Sequence, residues 1–167
     1  RSPVATFRAL VAASHSPRPD WTRVRIYFAD ERAVPPDHAE SNFRLAREML
    51  IDPLRIPPRN VHRMKGEYPD LAAAVEEYEA HLVEPLDVLL LGLGEDGHVA
   101  SLFPGSPLVR QTARRVAVVT DAPKPPPRRI TLTPRALAEA RRVLVIATGD
   151  AKVRAVARAL EGDVTPE

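Results

Sequence analysis

Four apolar runs alternate along the chain with segments in which apolar residues recur every three or four positions. The runs cover residues 24–29, 87–92, 116–120 and 143–148. Most of them are nearly continuous, which is typical of strands covered on both faces. This alternation predicts an α/β fold with an open, mostly parallel sheet and helices on both faces, a Rossmann-like, three-layer αβα arrangement. Ligands of such folds bind at the carboxyl ends of the strands.

Capping residues indicate where the helices begin. The predicted N-caps are Ser41 or Asn42, Asp70, Thr133 followed by Pro134, Asp150, and Ser2 followed by Pro3. The first predicted helix begins at Ser2, and no strand precedes it in the sequence, although an α/β fold alternates strands with helices. We therefore expect residues 1–167 to form a single domain that is incomplete at both ends.

Composition excludes several classes of protein. The chain has 167 residues, 44% of them apolar, and no apolar run approaches the roughly 18 residues of a membrane span. It has no cysteine, a formal charge of +2 and 5% aromatic residues, with no basic stripe interleaved with aromatics. We expect a cytoplasmic monomer that binds neither nucleic acid nor a membrane.

Gly92, Gly94 and Gly97 spell the dinucleotide fingerprint G-x-G-x-x-G after an apolar run. The fingerprint requires a helix of several turns behind the third glycine, because the pyrophosphate sits on the N-terminus of that helix. Prolines and a glycine within residues 104–107 interrupt the segment soon after it starts. The pattern therefore argues against a nicotinamide cofactor, and we expect no cofactor.

The same turn carries a candidate acid–base pair, Asp96 and His98. A carboxylate two residues from an imidazole can orient it, and a neutral histidine near pH 7 is a suitable general base. Gly94 and Gly97 allow backbone conformations that bring peptide N–H groups close to a ligand. The alternative is a turn whose polar groups bond only their own backbone. The five histidines show no metal-ligand spacing, so we expect no metal.

Three charged residues, Asp30, Glu31 and Arg32, follow the first apolar run. Their place at the carboxyl end of a strand favours a role in binding or catalysis. For three charges alone, the simpler interpretation is a solvated turn with an internal ion pair.

Cationic residues mark a candidate phosphate site. Lys152 lies in the first turn of the last predicted helix, where the helix dipole disfavours a cation unless an anion is near. Arg128 and Arg129 follow a run of prolines, so one guanidinium can be held to grip phosphate bidentately. Either feature alone is more often a solvated charge. Together with Ser2 at a helix start, they predict a sugar phosphate as ligand.

These residues resemble the 6-phosphogluconolactonases of the oxidative pentose phosphate pathway, and the resemblance covers nearly the whole chain. The matching stretches are residues 29–32, Val34-Pro35, Ser41-Asn42, Ile56-Pro57, residues 60–62, 92–98, 100–105 and 127–133, and Gly149 with Lys152.

The resemblance implies hydrolysis of the δ-lactone of 6-phosphogluconate. His98 would take a proton from the attacking water, with Asp96 orienting the turn. Arg32, beside Asp30, would stabilise negative charge or position the substrate, and N–H groups at Gly94 and Gly97 would receive the carbonyl oxygen. Arg129, Lys152 and Ser2 would hold the phosphate. The partner is then a phosphorylated sugar lactone.

The wider superfamily leaves two alternatives. Glucosamine-6-phosphate deaminases carry an Asn-Glu-Pro segment after the turn, where this chain has residues 102–105, and tend to carry Tyr where it has Arg32. Sugar-phosphate-sensing domains need only bind, so they need not keep a base at the position of His98.

Overall fold

The computed structural model describes residues 3–13 and 19–162, and alternates short strands with helices. The strands are β1 Ile26–Tyr27, β2 Asp30–Arg32, β3 Val61–His62, β4 Leu89–Gly92, β5 Val116–Val119, β6 Arg129–Leu132 and β7 Val143–Ile146. The α-helices are α1 Pro3–Ala12, α2 Asn42–Ala46, α3 Asp52–Leu54, α4 Leu71–His81, α5 Pro134–Glu139 and α6 Val153–Glu161. A π-helical turn, Arg47–Ile51, joins α2 to α3, and 3₁₀ turns span Pro58–Asn60, Pro107–Arg110 and Asp150–Lys152.

The strands pair in three groups. β1 pairs with β3 and β4 pairs with β7, both in parallel. β6 lies between β2 and β5 and is antiparallel to each of them. The predicted open α/β fold is confirmed. Among the described strands, two pairs are parallel and two are antiparallel, and the antiparallel pairs share β6.

Most of the predicted caps are confirmed. The Ser41 hydroxyl accepts from the Arg44 N–H at the start of α2, and Asp70 accepts from the Ala72 N–H at the start of α4. α5 begins with Thr133 at its cap and Pro134 at its first position. The prediction that Asp150 caps the last helix is wrong. Gly149, in a left-handed conformation at φ +86°, precedes a 3₁₀ turn there, and α6 begins only at Val153. Ser2 lies outside the described residues.

The core is built around the central strand of the antiparallel group. Ile130 and Leu132 of β6 are fully buried, as is Val116 of β5. The hydroxyl of the buried Tyr78 of α4 makes two hydrogen bonds with the backbone of Phe28. It accepts from the Phe28 N–H at 2.8 Å and donates to the Phe28 C=O at 2.9 Å. Because Phe28 lies between β1 and β2, this contact fixes where β2 starts. No described helix has the length and apolar character that crossing a bilayer requires.

Candidate active site

Alternation along strand β2 places Asp30 and Arg32 on one face and Glu31 on the other. Glu31 is 3% exposed, and its carboxylate accepts from the N–H groups of Asn42 and Phe43 and from the Ser41 hydroxyl, at 2.7–2.9 Å. Burial raises the pKa of Glu31, and these hydrogen bonds oppose that rise. Glu31 thus ties α2 to β2, so the interpretation of residues 30–32 as a solvated turn is wrong.

Asp30 connects β2 to the segment that follows the glycine turn. Its carboxylate accepts from the Ser101 hydroxyl at 2.7 Å and from the Asn42 side-chain amide at 2.9 Å. Ser101 is fully buried, and its N–H donates to the Thr131 hydroxyl of β6. Since both Asp30 oxygens already have protein donors, the structure favours an anchoring role for Asp30, although its catalytic role stays a prediction.

Two arginines lie directly opposite each other across β2 and β6. Arg32 and Arg129 are partners in the antiparallel register, an arrangement that like charges disfavour. Burial and then the charge of Arg32 lower the pKa of Arg129, while Asp30 and Glu40 act in the opposite direction. The Arg32 Nη1 donates to the Glu40 C=O, yet its buried Nε has no hydrogen-bond partner among the described residues. This concentration of positive charge is suited to an anion.

Arg129 is the inward-facing member of the arginine pair that follows the prolines, since it is 4% exposed whereas Arg128 is exposed. Its Nε donates to the Pro126 C=O at 2.9 Å and its Nη2 to the Lys124 C=O at 2.6 Å. Nη1 makes only a long contact, 3.5 Å, with the Ser101 hydroxyl. Each terminal nitrogen carries two N–H groups, so bidentate binding of phosphate by Arg129 stays a prediction, as does a single contact through Nη1.

The turn after β4 holds the imidazole of His98 against a carboxylate. The Nδ1 of His98 lies 2.5 Å from Oδ1 of Asp96, and the other oxygen, Oδ2, lies 3.2 Å from Nζ of Lys124. Burial disfavours the charge of Asp96, but the hydrogen bonds from His98 and Lys124 outweigh burial and lower its pKa to about 2. An ionised carboxylate at Nδ1 assigns the proton of a neutral imidazole to Nδ1. Nε2 is then the basic nitrogen.

Two glycines permit this geometry for different reasons. A Cβ on Gly94 would collide with the imidazole of His98 and with the carboxylate of Asp96. Gly97 adopts φ +93°, which side chains rarely allow. The N–H of Gly94 donates to the His98 C=O and the N–H of Gly97 to the Gly94 C=O. Both groups are used inside the turn, so we assign the glycines a conformational role, and their contact with substrate stays a prediction.

Phe103 and Lys124 complete the cluster and were missed from the sequence. The ring of Phe103 lies 4.5 Å from the ring of His98 and 5.5 Å from the guanidinium carbon of Arg129, measured to its centroid. Phe103 was visible only as part of the stretch after the turn. Lys124 could have been noticed as the single cation inside the proline run.

Lys152 reaches the same turn from the carboxyl side of β7. Its Nζ lies 3.8 Å from the carboxylate of Glu95, and its side chain is 19% exposed. The expected place in the first turn of the last helix is wrong, because Lys152 ends the 3₁₀ turn and precedes α6. Lys152 still lies at the N-terminal end of α6, where Glu95 supplies a nearby negative charge.

The structure therefore brings the predicted site residues together, apart from Ser2, which lies outside the described range. The cluster consists of Asp30, Arg32, Gly94, Asp96, Gly97, His98, Arg129 and Lys152. Within residues 3–13 and 19–162, no three His, Asp or Glu side chains are grouped so that they could hold a metal ion.

The chain is similar in sequence and in fold to known proteins. The chain is 44% identical over 156 residues to the 6-phosphogluconolactonase of Mycobacterium leprae, covering 86% of this chain and 63% of that protein. The crystal structure of 6-phosphogluconolactonase from Thermotoga maritima superposes with a TM-score of 0.86 at 31% identity, covering 98% of this chain and 73% of that one. A monomeric glucosamine-6-phosphate deaminase reaches a TM-score of 0.85 at 22% identity, a likeness of fold alone.

These structures confirm the predicted open αβα fold. The chain spans a little under two thirds of the length of the Mycobacterium protein that it matches. Residues 1–167 match the family described as glucosamine-6-phosphate isomerases/6-phosphogluconolactonase, and the chain belongs to that family.

Proposed function

We propose that the protein hydrolyses the lactone ring of 6-phospho-D-glucono-1,5-lactone to give 6-phosphogluconate. The observation that carries the proposal is the imidazole of His98, bound through Nδ1 to an ionised Asp96 beside the opposed arginines Arg32 and Arg129. The relatives from Mycobacterium leprae and Thermotoga maritima, both named 6-phosphogluconolactonase, support it.

The chemistry requires one base that can later act as an acid. The Nε2 of His98 takes a proton from water while the water oxygen bonds to the lactone carbonyl carbon. The tetrahedral intermediate collapses, the bond from that carbon to the ring oxygen breaks, and the imidazolium returns the proton to the ring oxygen. The product is the open acid, and every proton is accounted for without a redox step. An ester carbonyl is already electrophilic, so a base worth roughly 10²- to 10⁴-fold is a substantial part of the catalysis.

Positive charge supplies the second contribution. Arg32 stabilises the oxyanion that forms on the carbonyl oxygen, since its buried Nε has no other partner among the described residues. The glycine turn is less suited to this task, because the N–H groups of Gly94 and Gly97 are bonded within it.

The phosphate of the substrate is bound by Lys152, with a single contact from Nη1 of Arg129. Lys152 is separated from its nearest carboxylate, Glu95, by 3.8 Å, so a phosphate dianion competes well for it. Monomeric state, a cytoplasmic location and the absence of a nucleic-acid partner stay predictions.

A coupled assay tests the proposal. Freshly prepared lactone is incubated with the protein, 6-phosphogluconate is measured with its dehydrogenase, and the spontaneous hydrolysis is subtracted. We expect turnover that Lys152→Ala weakens through KM, with little effect on an unphosphorylated lactone. Release of ammonia from glucosamine 6-phosphate would indicate a deaminase instead. Tight binding of 6-phosphogluconate without turnover of either substrate would indicate a sensor.

A further inference from the structure

The segment in which prolines are most tightly clustered places an ammonium group at the catalytic turn. This proline segment, residues 123–127, includes Lys124, whose Nζ lies 3.2 Å from Oδ2 of Asp96. The other oxygen of Asp96 accepts from Nδ1 of His98. The carboxylate is thus held at both oxygens, by the imidazole on one side and by the ammonium on the other.

The proline segment is itself held in place by contacts on both sides of Lys124. Arg129 donates to the C=O groups of Lys124 and Pro126, and the Ala122 N–H donates to the Pro127 C=O at 3.0 Å. Arg129 is 4% exposed, and its guanidinium also lies over the ring of Phe103. These contacts restrict the backbone from which Lys124 extends, so its approach to Asp96 is a property of the fold.

We propose that Lys124 is a positioning residue that orients Asp96 and sets the basicity of His98 through it. This inference rests on the proposed function for the claim that His98 is the base. The physical reason is the sharing of one negative charge: an isolated Asp96 would stabilise the imidazolium strongly, whereas an Asp96 already paired with an ammonium stabilises it less. Lys124 also prevents the carboxylate from rotating away from Nδ1.

The balance of charge around His98 includes groups from every element that packs on the turn. They are Asp96 and Glu95 in the turn, Lys124 in the proline segment, Lys152 before α6, Arg129 on β6, and Asp30 and Arg32 on β2. Among the cations of the described residues, only Lys124 forms an ion pair with the carboxylate that His98 itself contacts. Its removal should therefore act on His98 more directly than removal of the other cations.

This role has a kinetic purpose. A general base must be unprotonated at the working pH, and its proton must still be transferable to the leaving oxygen. Without Lys124, the imidazolium of His98 would face the full charge of Asp96 and would return its proton to the leaving oxygen less readily. Lys124 thereby keeps the base available without touching the water that it activates.

Titration of the His98 imidazole by NMR tests the proposal in the free protein. The signal is assigned by its loss in His98→Gln. In Lys124→Met we expect the His98 signals to differ from those of the wild type across the titration, and in Lys124→Arg we expect them to return close to the wild-type behaviour. The matched control is Lys65→Met, which removes the lysine paired with Glu77, and it should leave the His98 titration unchanged.

Kinetics of the same variants separate this role from substrate binding. Lys124→Met should lower kcat about fivefold and shift the acidic limb of the pH profile upward, with less than about a twofold change in KM. An unchanged His98 titration together with a raised KM for phosphorylated lactone would overturn the proposal, because Lys124 would then be a phosphate ligand. If the protein lacks lactonase activity altogether, the titration still decides whether Lys124 acts on His98.

Discussion

Two histidines of this protein lie in contrasting surroundings, and the contrast shows what makes an imidazole a base. His98 contacts the carboxylate of Asp96 through Nδ1 and an aromatic ring on one face. His62 on β3 is stacked on Tyr27 with ring centroids 4.6 Å apart and lies 5.1 Å from the ring of His81.

The two environments treat a proton on the ring differently. Burial, then the charges of His81 and Arg25, lower the pKa of His62, so this ring stays neutral and serves packing. His98 has a carboxylate that accommodates the imidazolium formed when water is deprotonated. A cleft of about 420 Å³ lies beside His62, and the described residues that line it, Arg25, Arg59 and Asn60 among them, include no carboxylate. The difference lies in the partner of the ring, because both histidines are partly buried.

The largest effect should come from replacing His98 with a neutral residue, and the same replacement of His62 is the control. We expect His98→Gln to lower kcat for lactone hydrolysis by roughly 10²- to 10⁴-fold, because the base is lost. His62→Gln should change kcat less than about threefold. Rates are measured with fresh lactone after subtraction of spontaneous hydrolysis, and a circular dichroism spectrum confirms that each variant folds. Equal losses in the two variants would remove the distinction between them.

A methyl group on Gly94 should have the next largest effect. Gly94→Ala places a Cβ where the imidazole and the carboxylate meet, so His98 must move. We expect kcat to fall about 10²-fold, since a displacement of about 1 Å is enough for such a loss.

Gly97→Ala is the matched variant for this test. At φ +93° it strains the backbone, but its Cβ meets no neighbour within 4 Å. We expect it to lower the free energy of unfolding by about 1 kcal/mol, with a smaller effect on kcat than Gly94→Ala. A larger loss of kcat in Gly97→Ala would show that turn shape, rather than room for the ring, limits catalysis.

Asp96→Asn should have an intermediate effect. The amide keeps the shape of the side chain but not its charge, so the imidazolium loses its partner and kcat should fall roughly 10- to 100-fold. Because the pKa of Asp96 is about 2, its carboxylate stays ionised above pH 4. The acidic limb of the wild-type profile should therefore report the imidazole. A limb that lies near pH 2 in the wild type would contradict this assignment.

The smallest expected effect is a loss of stability on acidification that depends on His62. The folded pKa of His62 lies below its unfolded value, so the protein loses stability as the pH falls from the unfolded pKa, near 6.5, toward the folded one. His62→Phe keeps the stack on Tyr27 but cannot titrate. We expect the Tm of the wild type to fall more than that of His62→Phe between pH 7.5 and pH 5.5. Identical decreases would show that His62 does not carry this dependence.

Local signals were sufficient for many of the elements. The side-chain caps at Ser41 and Asp70 and the helix start at Thr133-Pro134 were predictable, since each signal is adjacent in sequence to the helix it starts. β3 and β6 were not, because two to four residues are too few to show alternation, and the pairings of β3 with β1 and of β6 with β2 join residues more than 30 positions apart.

The candidate site divides in the same way. Asp96 and His98 are two residues apart in a glycine turn, and this closeness allowed their contact to be predicted. The contact between Asp96 and Lys124 spans 28 positions and depends on how Arg129 holds the proline segment, so no local pattern indicates it. The role of Gly94 was only partly predictable. This position must lack a Cβ because the side chain of His98 occupies that space, and the sequence does not show where that side chain lies.

The central claim is that the imidazole of His98 carries its proton on Nδ1 and keeps Nε2 free to accept one. The ¹⁵N chemical shifts of its two ring nitrogens, measured in the free protein at a pH where the imidazole is neutral, test this claim most directly. We predict a protonated Nδ1 and an unprotonated Nε2. The opposite tautomer, with the proton on Nε2, would contradict the assignment of His98 as the base.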